Sequence, residues 1–124
     1  MADLLTSLGF AASGMQAQAG RLRTLSENIA NADTPGYQRK TVSFEEVADG
    51  VVLGPVRLDR TEGARIYDPG HPLADESGYH DGSNVDLVIE IADAREAQRS
   101  YEANLRVFDQ ARQMTQGLFD LIRK

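Results

Sequence analysis

Apolar residues recur at alternating steps of four and three along the first third of the chain. The pattern starts at Leu4 and reaches Ala32, and eight of its nine positions are apolar. Such spacing, sustained over four heptads, is typical of a helix that packs against another helix. It predicts a first helix from about Asp3 to Asn31, with Asp3 as its N-cap. The nine positions are Leu4, Leu8, Ala11, Met15, Gln18, Leu22, Leu25, Ile29 and Ala32.

Three glycines, Gly9, Gly14 and Gly20, lie inside this first helix. Each costs about 1 kcal/mol relative to Ala in a helix interior. A helix weakened in this way needs a packing partner, and small residues let a neighbouring helix approach closely. The helix is expected to stop before Pro35, which keeps the preceding residue out of the α region, and Gly36 permits a type II turn.

A second apolar stripe predicts a helix from near Asn84 to about Ile122, roughly 58 Å long at 1.5 Å per residue. Residues 83–86 resemble a capping box at its start. The stripe slips by one place after Phe108, which would overwind a coiled coil locally. Its positions are Leu87, Ile91, Ala94, Gln98, Tyr101, Leu105 and Phe108, then Ala111, Thr115, Leu118 and Ile122. Gln18 and Gln98 interrupt the two stripes, either to set the helix register or to bond to another subunit.

Short alternating runs between the two helices predict strands at 41–44, 51–53, 56–58 and 65–67, with a hairpin-like break at Gly54-Pro55. The sequence therefore predicts a mainly α protein. Its terminal segments, residues 1–36 and 84–124, each contain one long helix. The two helices are expected to pair as an antiparallel coiled-coil-like unit, with a small irregular β-rich insert, residues 37–83, between them.

Charge is concentrated in that insert. The 124 residues carry a net charge of −6. Residues 41–83 hold nine acidic and three basic side chains, so the two ends are nearly neutral. Neither end offers the clustered Lys and Arg that nucleic-acid binding needs, and we therefore expect no nucleic-acid partner. Near-neutral ends suit self-association, since like charges would repel.

Composition excludes several other classes of protein. Aromatic residues make up only 6% of the chain and Trp is absent, which is a thin supply for a dense core. The absence of Cys excludes disulfides, thiolate metal sites and Cys nucleophiles. No apolar run reaches 18 residues, so no transmembrane helix is expected. The first three residues lack a basic region, so no secretory signal peptide is expected.

Candidate chemistry is sparse. His71 and His80 lie near four carboxylates between positions 68 and 81, and such a cluster can hold a divalent metal. A solvated turn is the favoured interpretation of this region. No phosphate-binding glycine loop and no G-x-S-x-G nucleophile elbow occurs. We therefore expect no catalytic residue, no metal site and no cofactor.

The string from Asn28 to Tyr37 resembles the N-terminal signature of the bacterial flagellar axial proteins, which include rod and hook subunits. Large members of that family are at least twice as long as this chain, so the resemblance narrows to two short proximal-rod paralogues. Residues 67–79 and 99–105 favour one of them, whereas the compact loop at 34–37 is typical of the other, FlgB. The signature residues are Asn28, Asn31, Thr34, Pro35, Gly36 and Tyr37.

The resemblance implies a structural protein with no enzymatic activity and no small-molecule substrate. It implies export through the flagellar type III apparatus without a cleaved signal peptide, and helical polymerisation into the proximal rod in the periplasm. The terminal helices would form the inner layer around the export channel. The implied neighbours are FliE, FlgB, FlgF, FlgG and further copies of this chain.

Within that interpretation, the apolar stripe positions become buried between subunits. They are Leu8, Met15, Leu22, Leu25, Ile29, Ile91, Tyr101, Leu105, Phe108 and Leu118. Asn104 would either bridge to a neighbouring subunit or lie solvated. Two other classes remain open from the sequence alone: a soluble helical adaptor that pairs with one cytoplasmic partner, and a small metal-dependent enzyme that uses His71 and His80.

Overall fold

Two long helices lie side by side in the computed structural model, which describes residues 2–123. Helix α1 spans Ala2–Ala30 and helix α2 spans Leu87–Arg123, whose 37 residues extend about 55 Å. Gly14 of α1 lies against Asn104 of α2, and Asn28 lies against Glu90. Positions rise along one helix as they fall along the other, so the pair is antiparallel. The predicted mainly α fold, with paired terminal helices, is confirmed.

Helix α1 begins one residue earlier than predicted. Asp3 therefore lies in the first turn, and its assignment as the N-cap is wrong. A carboxylate in the first turn still interacts favourably with the positive end of the helix dipole. The helix ends at Ala30, and a turn closes when the backbone N–H of Thr34 donates to Asn31 O at 3.0 Å.

The predicted capping box of α2 is also wrong. The helix begins at Leu87, and the cap is Asp86, whose Oδ1 accepts a hydrogen bond from the backbone N–H of Val88 at 3.1 Å. The carbonyl of Asp86 accepts the N–H of Glu90 at 3.0 Å. An Asp side chain at the N-cap satisfies one of the free N–H groups of the first turn. Asn84, near which the helix was predicted to start, lies in the preceding loop.

The face of α2 that meets the rest of the chain overlaps only partly with the predicted stripe, since five of its eight positions were predicted and three were not. Its buried and half-buried positions follow steps of four and three without a slip, so the predicted slip near Phe108 is wrong. Small and polar side chains dominate this face, because they let the backbone of α1 come close. Most of the large apolar side chains predicted for the stripe flank this face instead. The inward positions are Glu90, Ala94, Ala97, Tyr101, Asn104, Phe108, Ala111 and Thr115.

The insert consists of three separate two-stranded antiparallel ribbons. The strands are β1 (Lys40–Thr41), β2 (Phe44–Val47), β3 (Gly50–Leu53), β4 (Arg57–Leu58), β5 (Arg65–Tyr67) and β6 (Tyr79–Asp81). Strand β1 pairs with β4, β2 with β3, and β5 with β6. A hairpin across Gly54-Pro55 is therefore wrong, since the strands on either side of it have different partners. Strand β6 was not predicted.

Strand β3 packs the β2–β3 hairpin against α1. Val51 N–H donates to Ser13 Oγ at 3.2 Å, and a Cβ added at Gly20 would meet the side chain of Leu53. The fully buried apolar residues of the chain are few and mostly small: Ala11, Ala17, Leu25, Ala97 and Ala111. Among the described residues, neither helix combines the length and the apolar character that crossing a membrane requires.

Candidate functional site

The Asn28 side chain, fully buried at the last turn of α1, joins three parts of the chain. Its Nδ2 donates to Lys40 O at 2.9 Å and to Glu90 Oε2 at 3.3 Å. Its Oδ1 accepts from the Tyr37 hydroxyl at 2.9 Å and from Lys40 N–H at 2.8 Å. Every donor and acceptor position of this amide is thus used. The amide ties the end of α1 to the signature loop, to β1 and to α2.

Glu90 is the second fully buried polar side chain of this network. Its Oε1 accepts a hydrogen bond from Arg39 Nε at 2.6 Å. The Nη1 atom of Arg39 in turn lies 3.4 Å from Asp59 Oδ2. The hydrogen bond to Glu90 raises the pKa of the Arg39 guanidinium further above its ordinary value. A buried carboxylate is tolerated because both of its oxygens are bonded, one of them to a cation.

Asn84 connects the loop before α2 to the insert. Its Oδ1 accepts the backbone N–H of Arg39 at 2.6 Å, and its Nδ2 donates to the carbonyls of Asp59 at 2.8 Å and Thr61 at 3.0 Å. Asn28 bonds to Tyr37 and Lys40 on either side of Arg39, and Asn84 bonds to the backbone of Arg39 itself. We refer to Asn28, Tyr37, Arg39, Asn84 and Glu90 as the junction network.

Sequence reasoning found only part of the junction network. Asn28 and Tyr37 were identified through the signature, whereas Glu90 and Arg39 were not assigned a role and Asn84 was considered only as part of the capping box. The role of Glu90 could have been predicted from its position. It lies four residues before Ala94 and seven before Ala97, in the stripe of small residues that faces α1. A charged residue on such a stripe requires a partner of opposite charge, and Arg39, just after the signature string, is that partner.

The remaining signature residues form the turn that leads from α1 into the network. Asn31 Nδ2 donates to Glu27 O at 2.8 Å, and the Thr34 hydroxyl donates to Asn31 Oδ1 at 3.1 Å. Gly36 has a φ of 72°, in the left-handed region that favours glycine, and its N–H donates to Asp81 O at 3.2 Å. Pro35 is exposed. The turn therefore bonds to the end of β6 as well.

Burial affects the Tyr37 hydroxyl directly. Desolvation raises the pKa of Tyr37, and the nearby carboxylate of Glu27 raises it further. The hydroxyl stays neutral in the folded chain and keeps donating to Asn28. The signature tyrosine therefore holds the loop against the end of α1.

The residues predicted to form the assembly interface fall into three groups. Leu25 is buried inside the chain, with 5% of its surface exposed. The half-buried members are Leu8, Met15, Leu22, Ile29, Tyr101, Asn104 and Phe108. The exposed members are Ile91, Leu105 and Leu118. Asn104 lies against Gly14, and its Nδ2 donates to Ser100 O at 3.0 Å.

Three members of that set line one groove between the two helices. Met15, Tyr101 and Phe108 form its apolar walls, together with Ala12, Gln16 and Ala19 of α1. The groove is open and has a volume of about 300 Å³. Gln18 of α1, two residues after Gln16, is half-buried. Its Oε1 has no hydrogen-bond partner among the described residues.

The two histidines do not form a metal site with their acidic neighbours. Their rings are stacked, with centroids 3.9 Å apart and planes at 9°, so their nitrogens do not converge on one point. Asp75 instead accepts from the Ser77 hydroxyl and from Arg65, and these bonds lower its pKa. Among residues 2–123, no group of three or more His, Asp or Glu side chains is placed to hold a metal ion.

Two family models match the segments that build this architecture. One, described as flagella basal body rod protein, matches residues 8–38 and so covers most of α1 and the signature turn. The other, described as flagellar basal body rod FlgEFG protein C-terminal, matches residues 76–121 and covers nearly all of α2. The class of protein defined by the paired helices and the signature turn is therefore the flagellar rod subunit.

Curated relatives specify the family. The chain is 44% identical to the flagellar basal-body rod protein FlgC of Agrobacterium fabrum, over 99% of this chain and 98% of that protein. It is 35% identical to FlgC of Salmonella typhimurium, over 90% of this chain and 92% of that protein. It is 34% identical to FlgC of Aquifex aeolicus, over 97% of this chain and 98% of that protein. The chain belongs to the FlgC family of flagellar basal-body rod proteins. It is a structural subunit of the rod, and the FlgB alternative is not favoured.

Proposed function

We propose that this rod subunit polymerises helically through its two terminal helices to form the drive shaft around the export channel. In this proposal residues 1–36 and 84–124 form the inner layer, and the insert, residues 37–83, forms an outer region in the periplasm. The neighbours are FliE, FlgB, FlgF, FlgG and further copies of the chain. The subunit is delivered by the flagellar type III export apparatus without a cleaved signal peptide, and it has no catalytic role.

The observation that carries the proposal is that different sets of side chains on α2 contact α1 and face outward. Small and polar residues pair α2 with α1, whereas large apolar residues of the same helix stay exposed: 43% at Ile91, 40% at Leu105 and 38% at Leu118. Exposed apolar surface on this scale is typical of an interaction face. Its burial between subunits would contribute about 25 cal/mol per Å².

The groove lined by Met15, Tyr101 and Phe108 offers a place for a neighbouring helix. Amphipathic helices bind into apolar grooves through anchors spaced by three or four residues. The large apolar side chains that stay exposed on α2 can supply such anchors. A groove and exposed apolar side chains on the same chain fit a subunit whose helices pack against the helices of its neighbours.

The junction network has a mechanical role in this proposal. A drive shaft must transmit torque between its inner and outer layers without slippage at the connection. Buried polar networks specify one geometry, because any other arrangement leaves a buried group without a partner. We infer that the signature residues serve to fix the insert rigidly against the two helices. Asn28 and Tyr37 act directly, and Asn31, Thr34, Pro35 and Gly36 shape the turn.

Export and assembly place opposite demands on the helices. As part of the proposal, both terminal helices are poorly ordered during export and become ordered on docking. Ordering costs about 1–2 kcal/mol of backbone entropy per residue. Only an interface with several neighbours offsets that cost for two long helices. Helix formation would therefore be tied to incorporation into the rod.

The experiment replaces Leu105 by Asp in a motile host that lacks the native gene. We expect normal expression, no swimming, and basal bodies that keep the membrane ring but lack the rod beyond it in electron micrographs. The matched control is Gln113→Asp, which adds the same charge at an exposed polar position of α2 and should leave rods intact. Intact rods with Leu105→Asp would contradict the proposal. Leu25→Asp is a poorer test, because Leu25 is buried within the single chain.

A further inference from the structure

The C-terminal turns of α2 carry an exposed apolar face. Leu118, Phe119, Leu121 and Ile122 are all exposed, and Ile122 reaches 74%. At 100° per residue, these four positions lie within an arc of about 160° of the helix circumference, and Asp120 and Arg123 lie on the other side. An apolar helix face normally packs against another element in the working state.

The described residues leave this segment, residues 117–123, exposed, and we call it the α2 end. Gly14 lies against Asn104, and twelve steps back along α1 correspond to twelve steps forward along α2. Ala2 therefore lies opposite Gln116. The α2 end continues past the first described turn of α1, and its apolar side chains have no covering partner among residues 2–123.

A groove of suitable character lies on the far side of α1 from α2. It runs between the first turns of α1 and the tip of the β2–β3 hairpin, and its volume is about 530 Å³. Leu5 and Phe10, both exposed, supply its apolar wall, and Ala48 and Asp49 close it from the hairpin. Gly9 leaves its floor open, since a Cβ added there would meet nothing within 4 Å. We call this the hairpin groove.

We propose that the α2 end of a second copy of this chain docks in the hairpin groove. The inference rests on the proposed function, because it specifies one contact of the polymer. Asp49 at the groove and Arg123 at the α2 end carry opposite charges. The groove meets the α1 terminus, where the helix dipole is positive, and the α2 end carries the negative end of its dipole. Charge and apolar surface thus complement each other between the two surfaces.

The hairpin groove is also continuous with the groove between the helices. Ala12 and Gln16 line both of them, so a neighbouring chain that occupies one lies beside the other. The α2 end and the hairpin groove are different surfaces of one molecule. A contact between different surfaces is heterologous, and it generates an open polymer unless the rotation closes into a ring. The docking therefore provides a directional link for helical growth.

The test uses the absence of cysteine in this chain. Two full-length single-cysteine variants, Gly9→Cys with an affinity tag and Leu121→Cys without one, are produced together in a host that lacks the native gene. Isolated basal bodies are treated with a short bismaleimide. We expect a covalent dimer that joins the tagged and untagged chains, because the two cysteines lie on different molecules. Immunoblots measure incorporation of both variants and the dimer.

Glu102→Cys replaces Leu121→Cys in the matched control. It is exposed on the same helix but lies 19 residues away, about 28 Å along the axis, beyond the reach of the linker. The proposal is overturned if both variants are incorporated and no dimer forms, if Glu102→Cys gives an equal yield, or if Gly9→Cys dimerises as readily with itself. It is also overturned if Leu121→Cys crosslinks only to another rod protein.

Incorporation separates this inference from the proposed function. If both variants enter the basal body without the crosslink, the rod subunit stands and the docking fails. If the unmodified chain itself is missing from basal bodies, the proposed function fails. Should a variant be excluded, the second pair, Gln16→Cys with Ile122→Cys, is decisive, since both positions are exposed and lie at the same two surfaces.

Discussion

The amide of Asn28 in α1 donates a hydrogen bond to the carboxylate of Glu90 in α2, and neither side chain has any surface exposed. The Nδ2–Oε2 distance is 3.3 Å across 62 positions of sequence. Position 28 suits an uncharged hydrogen-bond donor, because the carboxylate of Glu90 already has a cationic partner in Arg39. This single contact joins the family signature to the C-terminal helix.

Asn28→Asp should destabilise the chain strongly. The change removes the donor and places a second carboxylate beside Glu90, and an uncompensated buried charge costs about 3–5 kcal/mol. The loss should be largest at neutral pH and shrink as the pH falls toward 4, the ordinary pKa of Asp, because the introduced carboxyl has a raised pKa in the folded chain. Urea unfolding at several pH values measures it. Gln98→Glu, which adds a carboxylate at an exposed position, is the control; equal midpoints for the two variants would refute the network.

Tyr37→Phe should cost about 0.5–1.5 kcal/mol, because it removes one of the two donors to Asn28 Oδ1. The pKa of Tyr37 is raised in the folded chain, so the unfolded chain loses its proton first. Stability linked to this group is therefore present below pH 10 and is lost as the pH rises beyond it. Tyr37→Phe should therefore lose less stability above pH 10 than the parent chain does. Thermal unfolding followed by circular dichroism measures the difference. Tyr67→Phe, at a position that is 63% exposed, should leave stability nearly unchanged at pH 7.

Gly14→Ala and Gly9→Ala should have opposite effects. A Cβ at Gly14 would come within 2.8 Å of Asn104 Nδ2, so the helices must separate or the amide must give up its bond to Ser100 O. A Cβ at Gly9 meets nothing, and Ala is favoured over Gly in a helix by roughly 0.5–1 kcal/mol. We expect a lower melting temperature for Gly14→Ala and a higher one for Gly9→Ala.

The double variant Gly14→Ala/Asn104→Ala tests the cause. It removes the crowded amide and should recover most of the stability that Gly14→Ala loses. Without such recovery, the close approach of the helices at Gly14 would not be the reason for the loss.

Acid should loosen the loop between β5 and β6 first. Hydrogen bonds from Ser77, Tyr79 and Arg65 lower the pKa of Asp75, so the stability it contributes is present above the ordinary pKa of Asp, near 4. That contribution is lost as the pH falls through the lowered folded-state value. The protection factors of the Ser77 and Tyr79 amides, measured by NMR and corrected for the intrinsic pH dependence of amide exchange, should fall on acidification. In Asp75→Asn the same amides should exchange faster at pH 7 and respond less to acid, whereas Glu76→Gln should behave as the parent chain does.

Local pattern was sufficient for much of this protein. The spacing of apolar residues predicted both helices to within a few residues, because helix periodicity is a property of neighbouring positions. Pro35 and Gly36 predicted the end of the first helix through their own backbone restrictions. The signature string indicated the axial family directly, and the sequence comparisons confirmed it.

The pairing of those elements could not be obtained in the same way. The stripe predicted on α2 was right at five inward positions, among them Ala94, Ala111 and Thr115, but its members Ile91, Leu105 and Leu118 stay exposed. Tertiary structure added Ala97 and Glu90, because close approach at Gly14 favours small side chains and because Asn28 and Arg39 supply the partners that a buried carboxylate needs. Strand pairing depended likewise on partners far apart in the chain, such as Lys40 and Leu58. The sequence alone therefore determined where the helices lie and which family they belong to, whereas only the tertiary structure decided which faces meet, since that choice rests on steric fit and hydrogen bonding between distant residues.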